Sequence, residues 1–230
     1  MKRSEINTLL KNAVAFMADM NFKLPPFAYW SCEDWKSKGS ECDVIREVML
    51  GWDITDFGSG DFYKTGLLLF TLRNGSICDN LNKKPYAEKI MIVEENQITP
   101  MHFHWKKTED IINRGGGNLM IKLYNSTVDE QLDDTDITVL IDGCLHTLPA
   151  GSIVKLKPGE SIALTQGLYH TFWAEEGHGK VLAGEVSMVN DDSNDNRFLE
   201  PAGRFPEIEE DELPVYLLAN EYMKGTQKND

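Results

Sequence analysis

A mainly β protein, an antiparallel sandwich or barrel with an N-terminal helical extension, is what this chain predicts, and three observations carry the prediction. Clear helical spacing of apolar residues is confined to the start of the chain. From Thr65 onward the sequence breaks into short β-rich runs. Asp142-Gly143, Pro158-Gly159 and the glycines at 177 and 179 supply turns at the regular spacing of an all-β fold. With 41% hydrophobic residues in 230, the chain has enough apolar material for a sizeable core.

In order along the chain, residues 4–20 place Ile6, Leu9, Leu10, Ala13, Val14 and Met17 at helical spacing, with Ser4 as the N-cap. The stretch NFKLPPFAYWSCEDW is punctuated by Pro25-Pro26 and is expected to run irregularly over the main body, ahead of a second short helix in Asp43 to Leu50. Residues 1–60 are therefore read as a helical extension packed on a barrel of residues 61–190. The barrel runs are TGLLLFTLRNG, KIMIVEENQITPMHFHW, NLMIKLYNST, DITVLIDGCLHTL, GSIVKLKPGE, SIALTQGLYHTFWAE and KVLAGEVSMVN. Residues 191–230 are an acidic loop with one apolar segment, Val215 to Ala219, packed on the barrel, and a polar tail that frays after Tyr222. Together these parts make one domain.

A net charge of −14, from 37 acidic and 23 basic residues, repels phosphate backbones and anionic membranes. Nucleic acid and membrane are excluded as partners on that ground, and a neutral sugar or small organic molecule fits better than a heavily phosphorylated one. No apolar run approaches the ~20 residues of a membrane span, and the N-terminus lacks the pattern of a secretory signal, so a cytoplasmic protein is expected. Cys32, Cys42, Cys78 and Cys144 show no CxxC spacing and are read as reduced thiols.

The chemistry centres on His102-Phe103-His104-Trp105-Lys106-Lys107-Thr108-Glu109. Side chains alternate along a strand, so His102 and His104 share a face, and Glu109 folds back after a short turn. Two imidazoles and a carboxylate suit a divalent Fe, Mn, Zn, Ni or Co ion with open positions. A fourth ligand is expected from another strand. His170 lies within one, whereas His146 sits beside a turn and His178 at a hairpin tip. A hairpin centred on Glu176 to Gly179 would set residue 175 opposite 180 and residue 170 opposite 185. Glu185 then faces the site either as a general base or as a hydrogen-bond partner of His170. Lys106 continues the parity of the two histidines and turns inward, unless it is solvated.

These residues carry a resemblance. HFHWKKTEDIINRGG is similar to the first cupin motif, ending here at Gly116, and GESIALTQGLYH is similar to the second, with Gly167 and His170 in place. Three positions depart from the pattern. Asn96 stands for an opening Gly, which Asn's tolerance of left-handed turns makes mild; Thr165 stands for a Pro and Ala174 for an Asn. None removes a ligand. Over nearly the whole chain, PYAEKIMIVEENQITPMHFHWKKTEDIINRGGGNL and GEVSMVNDDSNDNRF resemble the bacterial D-lyxose isomerases, cupin sugar isomerases that interconvert D-lyxose and D-xylulose and also act on D-mannose, whose ketose is D-fructose. The resemblance implies a cupin double-stranded β-helix (jelly-roll) barrel and a homodimer. It also implies a divalent metal held by His102, His104, Glu109 and His170, manganese first, with Co2+, Zn2+, Fe2+ and Ni2+ also admitted. Lys89 and Glu185 fall within the matched strings as sugar contacts. Asp191, Asp195 and Arg197 either reach sugar hydroxyls at the barrel mouth or belong to a solvated loop. On this reading the metal chelates O1 and O2 of the open-chain sugar while Glu185, or another interior carboxylate, shuttles a proton through a cis-enediol; a hydride shift is the rival route. A cupin metal-dependent dioxygenase and a non-catalytic sugar-binding cupin are the competing functions.

Overall fold

The computed structural model describes residues 1–76, 83–191 and 194–222. Cys78, residues 192 and 193 of the NDDSNDNR loop and the tail after Tyr222 lie outside the described residues. Helix α1 (Arg3–Asp19) buries Ile6, Leu10, Ala13 and Met17 along one stripe, as their spacing demands. Its N-cap is Lys2 and not Ser4. Ser4 sits inside the first turn, where its amide and hydroxyl donate to the Asp211 carboxylate at 2.9 and 2.7 Å. The helix start is thus satisfied by the C-terminal segment rather than by its own side chain. Two short helices follow, α2 (Cys32–Lys36) and α3 (Asp43–Glu47). The first lies in the stretch expected to be irregular, and a Ser31/Asp34 capping box starts it.

Fourteen strands are described: β1 (Gly51–Thr55), β2 (Leu67–Arg73), β3 (Tyr86–Val93), β4 (His102–Phe103), β5 (Glu109–Gly116), β6 (Leu119–Ser126), β7 (Leu132–Asp133), β8 (Ile137–Ile141), β9 (Cys144–Leu148), β10 (Ile153–Leu156), β11 (Ser161–Leu164), β12 (Tyr169–Ala174), β13 (Val181–Met188) and β14 (Arg197–Phe198). An eight-stranded sheet runs β1-β2-β3-β13-β5-β11-β8-β9, and a six-stranded sheet runs β10-β6-β12-β4-β14 with β7 also paired to β6. Gly51–Thr55, grouped by sequence with the helical extension, is in fact the edge strand of the larger sheet.

At β2 and β3 the larger sheet is covered on both faces, which is why those strands read as nearly unbroken apolar runs. Leu67, Leu69, Met91, Val93 and Ile111 face inward against Leu119, Ile121, Leu123 and Phe172 of the smaller sheet. Their neighbours Leu68, Phe70, Ile90, Ile92 and Leu182 face outward and pack under α1 against Ile6, Leu10, Ala13 and Met17. This two-sheet barrel with its helical cover is the cupin fold. Strand β5, centrally placed between β13 and β11, was not among the runs expected from sequence, because Glu, Asp, Asn, Arg and two glycines dilute its apolar signal.

The hairpin expected around Glu176 to Gly179 is not formed. Strand β12 pairs with β6 and β4, whereas β13 pairs with β3 and β5. Each strand is saturated by other neighbours, so the segment between them crosses the roughly 10 Å from one sheet to the other. Glu185 consequently stands opposite Lys89 and Ile111, not His170.

The C-terminal segment is clamped to α1 by Arg3, which is 1% exposed. Its guanidinium donates to both Glu210 oxygens at 2.9 and 2.6 Å and also to Glu221. Arg3 in turn holds the Glu210 carboxyl below its usual range. An Arg3→Ala substitution is expected to cost about 2–3 kcal/mol of stability in urea unfolding, since charge-assisted, bidentate bonds are lost. A change within ±0.5 kcal/mol, the size of an ordinary surface substitution, would mean that the clamp is unimportant.

Candidate metal and sugar site

The site forms where the inner faces of the two sheets meet. His102 lies on β4 and pairs in register with His170 on β12. His104 follows β4 directly, and Glu109 opens β5 with its side chain on the same inward face as Ile111. One nitrogen from each of the three histidines lies within 4.8 Å of those of the other two.

Backbone carbonyls fix the orientation of all three rings. His102 Nδ1 lies 2.8 Å from the Pro100 carbonyl, His104 Nδ1 2.9 Å from that of Asp195, and His170 Nδ1 3.0 Å from that of Leu168. A carbonyl only accepts, so each Nδ1 carries the hydrogen, which leaves Nε2 as the ligating atom of each imidazole. His170 Nε2 is buried with no hydrogen-bond partner. Glu109 Oε1 lies 3.4 Å from His104 Nε2 and 3.2 Å from His170 Nε2. Burial, reinforced by the neighbouring His170 and His104, holds the His102 imidazole well below its ordinary range and so keeps it neutral. Burial pushes the Glu109 carboxyl up, but Lys107 and the adjacent His104 and His170 outweigh it, leaving Glu109 well below the usual carboxylate range. Three imidazole nitrogens and one carboxylate, oriented in advance and one of them orphaned, fit a divalent cation with imidazole affinity.

Lys107 is the residue that sequence reasoning missed. It is 3% exposed, and its Nζ lies 2.7 Å from Glu109 Oε2 and 2.9 Å from Glu185 Oε1. For Lys106, expected to turn inward unless solvated, the solvated alternative holds: it is exposed. Strand alternation ends at Phe103 and the chain turns at 105–106, which breaks the parity and swings Lys107 in instead. Lys89 does face the pocket, with Nζ 2.6 Å from Asn190 Oδ1 and 3.4 Å from Glu185 Oε1.

These groups line a pocket that opens to solvent. Its polar floor carries the three histidines, Glu109, Lys107, Lys89 and Glu185, while Leu67, Leu69, Met91 and Phe172 form apolar walls. Phe57, Phe198, Asn196 and Arg204 also line it; Asn196 and Phe198 fall within the matched string GEVSMVNDDSNDNRF without having been singled out, and Arg204 lies beyond it. Asp191, Asp195 and Arg197 do not line this pocket. Asp191 is exposed and bonds to Asn194, and Arg197 Nε donates to Glu130 at 2.7 Å. Both carboxylate oxygens of Asp195 accept backbone amides, those of Lys106 and Lys107. Asn96, which replaces the opening glycine of the first motif, has φ +59°, the left-handed conformation that Asn tolerates.

Fold and site together define a cupin with a three-histidine, one-glutamate pocket inside its barrel. The chain belongs to the D-lyxose isomerase family, whose sequence model matches residues 1–222. It is 52% identical over 225 residues to the D-lyxose/D-mannose isomerase of Serratia proteamaculans, covering 97% of this chain and 99% of that one. It is 53% identical over 223 residues to the D-lyxose/D-mannose isomerase of Escherichia coli O157:H7, covering 96% and 98%. Among solved structures, L-ribose isomerases share the fold. That of Geodermatophilus obscurus has a TM-score of 0.58 at 17% identity, covering 91% of this chain and 98% of that one. That of Cellulomonas parahominis has a TM-score of 0.57 at 16% identity, with the same coverage. Among the described residues, no helix is long and apolar enough to cross a membrane, and Cys32, Cys42 and Cys144 are free thiols.

Proposed function

We propose that the chain is a divalent-cation-dependent aldose–ketose isomerase that interconverts D-lyxose with D-xylulose and D-mannose with D-fructose. The observation that carries this reading is the convergence of three Nε2 lone pairs and Glu109 on one side of a pocket whose other side presents Glu185. The relatives' substrates agree with it. His102, His104, Glu109 and His170 would hold the cation, with Mn2+ the first choice. When bound, a divalent cation supplies positive charge that stabilises developing negative charge on sugar oxygens.

The chain's own residues do the rest. Glu185 is aimed into the pocket by Lys107 and Lys89, and as a carboxylate it takes the weakly acidic proton from carbon 2 and returns one to carbon 1 through a cis-enediol. Lys89 and Lys107 are placed to donate to sugar hydroxyls. Leu67, Leu69 and Met91 keep bulk water from the reacting carbons. The same reading expects a homodimer working in the cytoplasm.

To test it, protein stripped with chelator is supplied with Mn(II), and D-lyxose and D-mannose are followed by NMR in deuterated water. Ketose formed only with metal, carrying deuterium at carbon 1, is the expected result. Ketose without deuterium favours the hydride shift. No turnover of either sugar with any divalent metal overturns the isomerase reading.

A further inference from the structure

We infer that Asp195 is a positioning residue that ties the loop after β13 to the metal half of the pocket, by fixing the ring of His104 and the turn that delivers Lys107. Its side chain is 5% exposed. Oδ1 accepts the Lys106 amide at 2.8 Å and Oδ2 accepts the Lys107 amide at 2.9 Å. Its carbonyl accepts His104 Nδ1 at 2.9 Å. Its own amide donates to the Asp191 carbonyl at 3.0 Å. One residue therefore holds both ends of the segment from His104 to Lys107.

The contacts on either side show why this matters. His102 and His170 take their Nδ1 partners from carbonyls two residues away, Pro100 and Leu168, so their rings are oriented by the chain immediately before them. His104 takes its partner from a residue 91 positions along the chain. Its ring is set only when the loop is seated, and the Asp195 carboxylate seats the loop. That carboxylate matches two adjacent amides at the turn, and Asp195 is not among the residues that line the pocket. Asp195 acts on the site through the backbone, not by touching substrate.

The inference rests on the proposed function for its consequence but not for its geometry, and the experiment separates the two. Asp195→Asn keeps the volume but replaces one acceptor oxygen with an NH2 group that faces an N–H. Asp195→Ala removes both acceptors. In metal-free protein with 15N-labelled histidine, His104 is expected to lose its fixed Nδ1–H tautomer in both variants, while His102 and His170 keep theirs. Mn(II) titration is expected to show affinity weakened about 10–100-fold, the usual effect of losing a group that orients a ligand. An unchanged His104 tautomer together with unchanged Mn(II) affinity overturns the inference, and the near-isosteric Asn variant decides alone should the Ala variant not fold. If the wild-type protein neither takes up Mn(II) nor converts D-lyxose, the proposed function fails while the tautomer readout still tests the clamp.

Discussion

Glu185→Gln is expected to lower kcat by about 10²–10⁴-fold while Mn(II) affinity changes only a few-fold, the range typical of losing a general acid–base group. Glutamine keeps the shape and an acceptor for the Lys107 ammonium, which now donates to Glu185 Oε1 at 2.9 Å, but it cannot take a proton from carbon 2. Glu185 belongs to β13, whereas His102 and His170 lie on β4 and β12 and Glu109 on β5. Ligand geometry should therefore survive the change. Steady-state kinetics on D-lyxose, beside Mn(II) titration calorimetry, reads both quantities. Unchanged kcat would move the proton transfer to another group, and lost Mn(II) binding would place Glu185 among the ligands. Residual turnover by the variant should show slowed exchange of the carbon-2 proton with solvent.

The sequence made the ligand cluster legible because its signals are local or carried by motif spacing. His102 and His104 are two residues apart, and the spacing of the second motif brought His170 to the same pocket without knowledge of strand order. The apolar runs LLLF and IMIV marked strands but not their environment. Only the structure shows that alternate residues in each run face the barrel and the helical cover. Glu185 was expected to face inward through a hairpin that does not exist. It faces inward all the same, because parity along β13 sets Ala183 and Glu185 on the inner face whichever strand lies alongside. The inward alternative for Lys106 failed for the converse reason. Alternation was extended past the last residue of a two-residue strand, where a turn and the Asp195 carboxylate decide the direction instead. Arg204 comes from a segment whose path depends on contacts far along the chain, and nothing in its neighbours predicts that.

Lys107→Met should be the most destabilising single change in the pocket, by about 3–5 kcal/mol in the metal-free protein at neutral pH, because it strips the cation from a buried pair. Lys107 and Glu109 are each 3% exposed and their charges are 2.7 Å apart. The pH dependence carries the sharper test. In the wild type, Glu109 lies below its ordinary value, so it contributes stability above the unfolded-state pKa and loses that contribution as pH falls through the folded-state one. Methionine leaves the burial that pushes the carboxyl up but removes the cation that most opposes it. The folded-state pKa should then rise above the unfolded one, and the sign reverses: the variant is penalised increasingly as pH climbs through the raised value. Urea unfolding of both metal-free proteins between about pH 4 and pH 7, a span that starts near the ordinary glutamate value and runs well above it, should show a gap that widens with pH. Lys107→Arg, which restores the charge, should close most of it. A gap of constant size would mean that Lys107 stabilises by packing alone, and that the carboxylate of Glu109 is kept ionised by the imidazoles beside it.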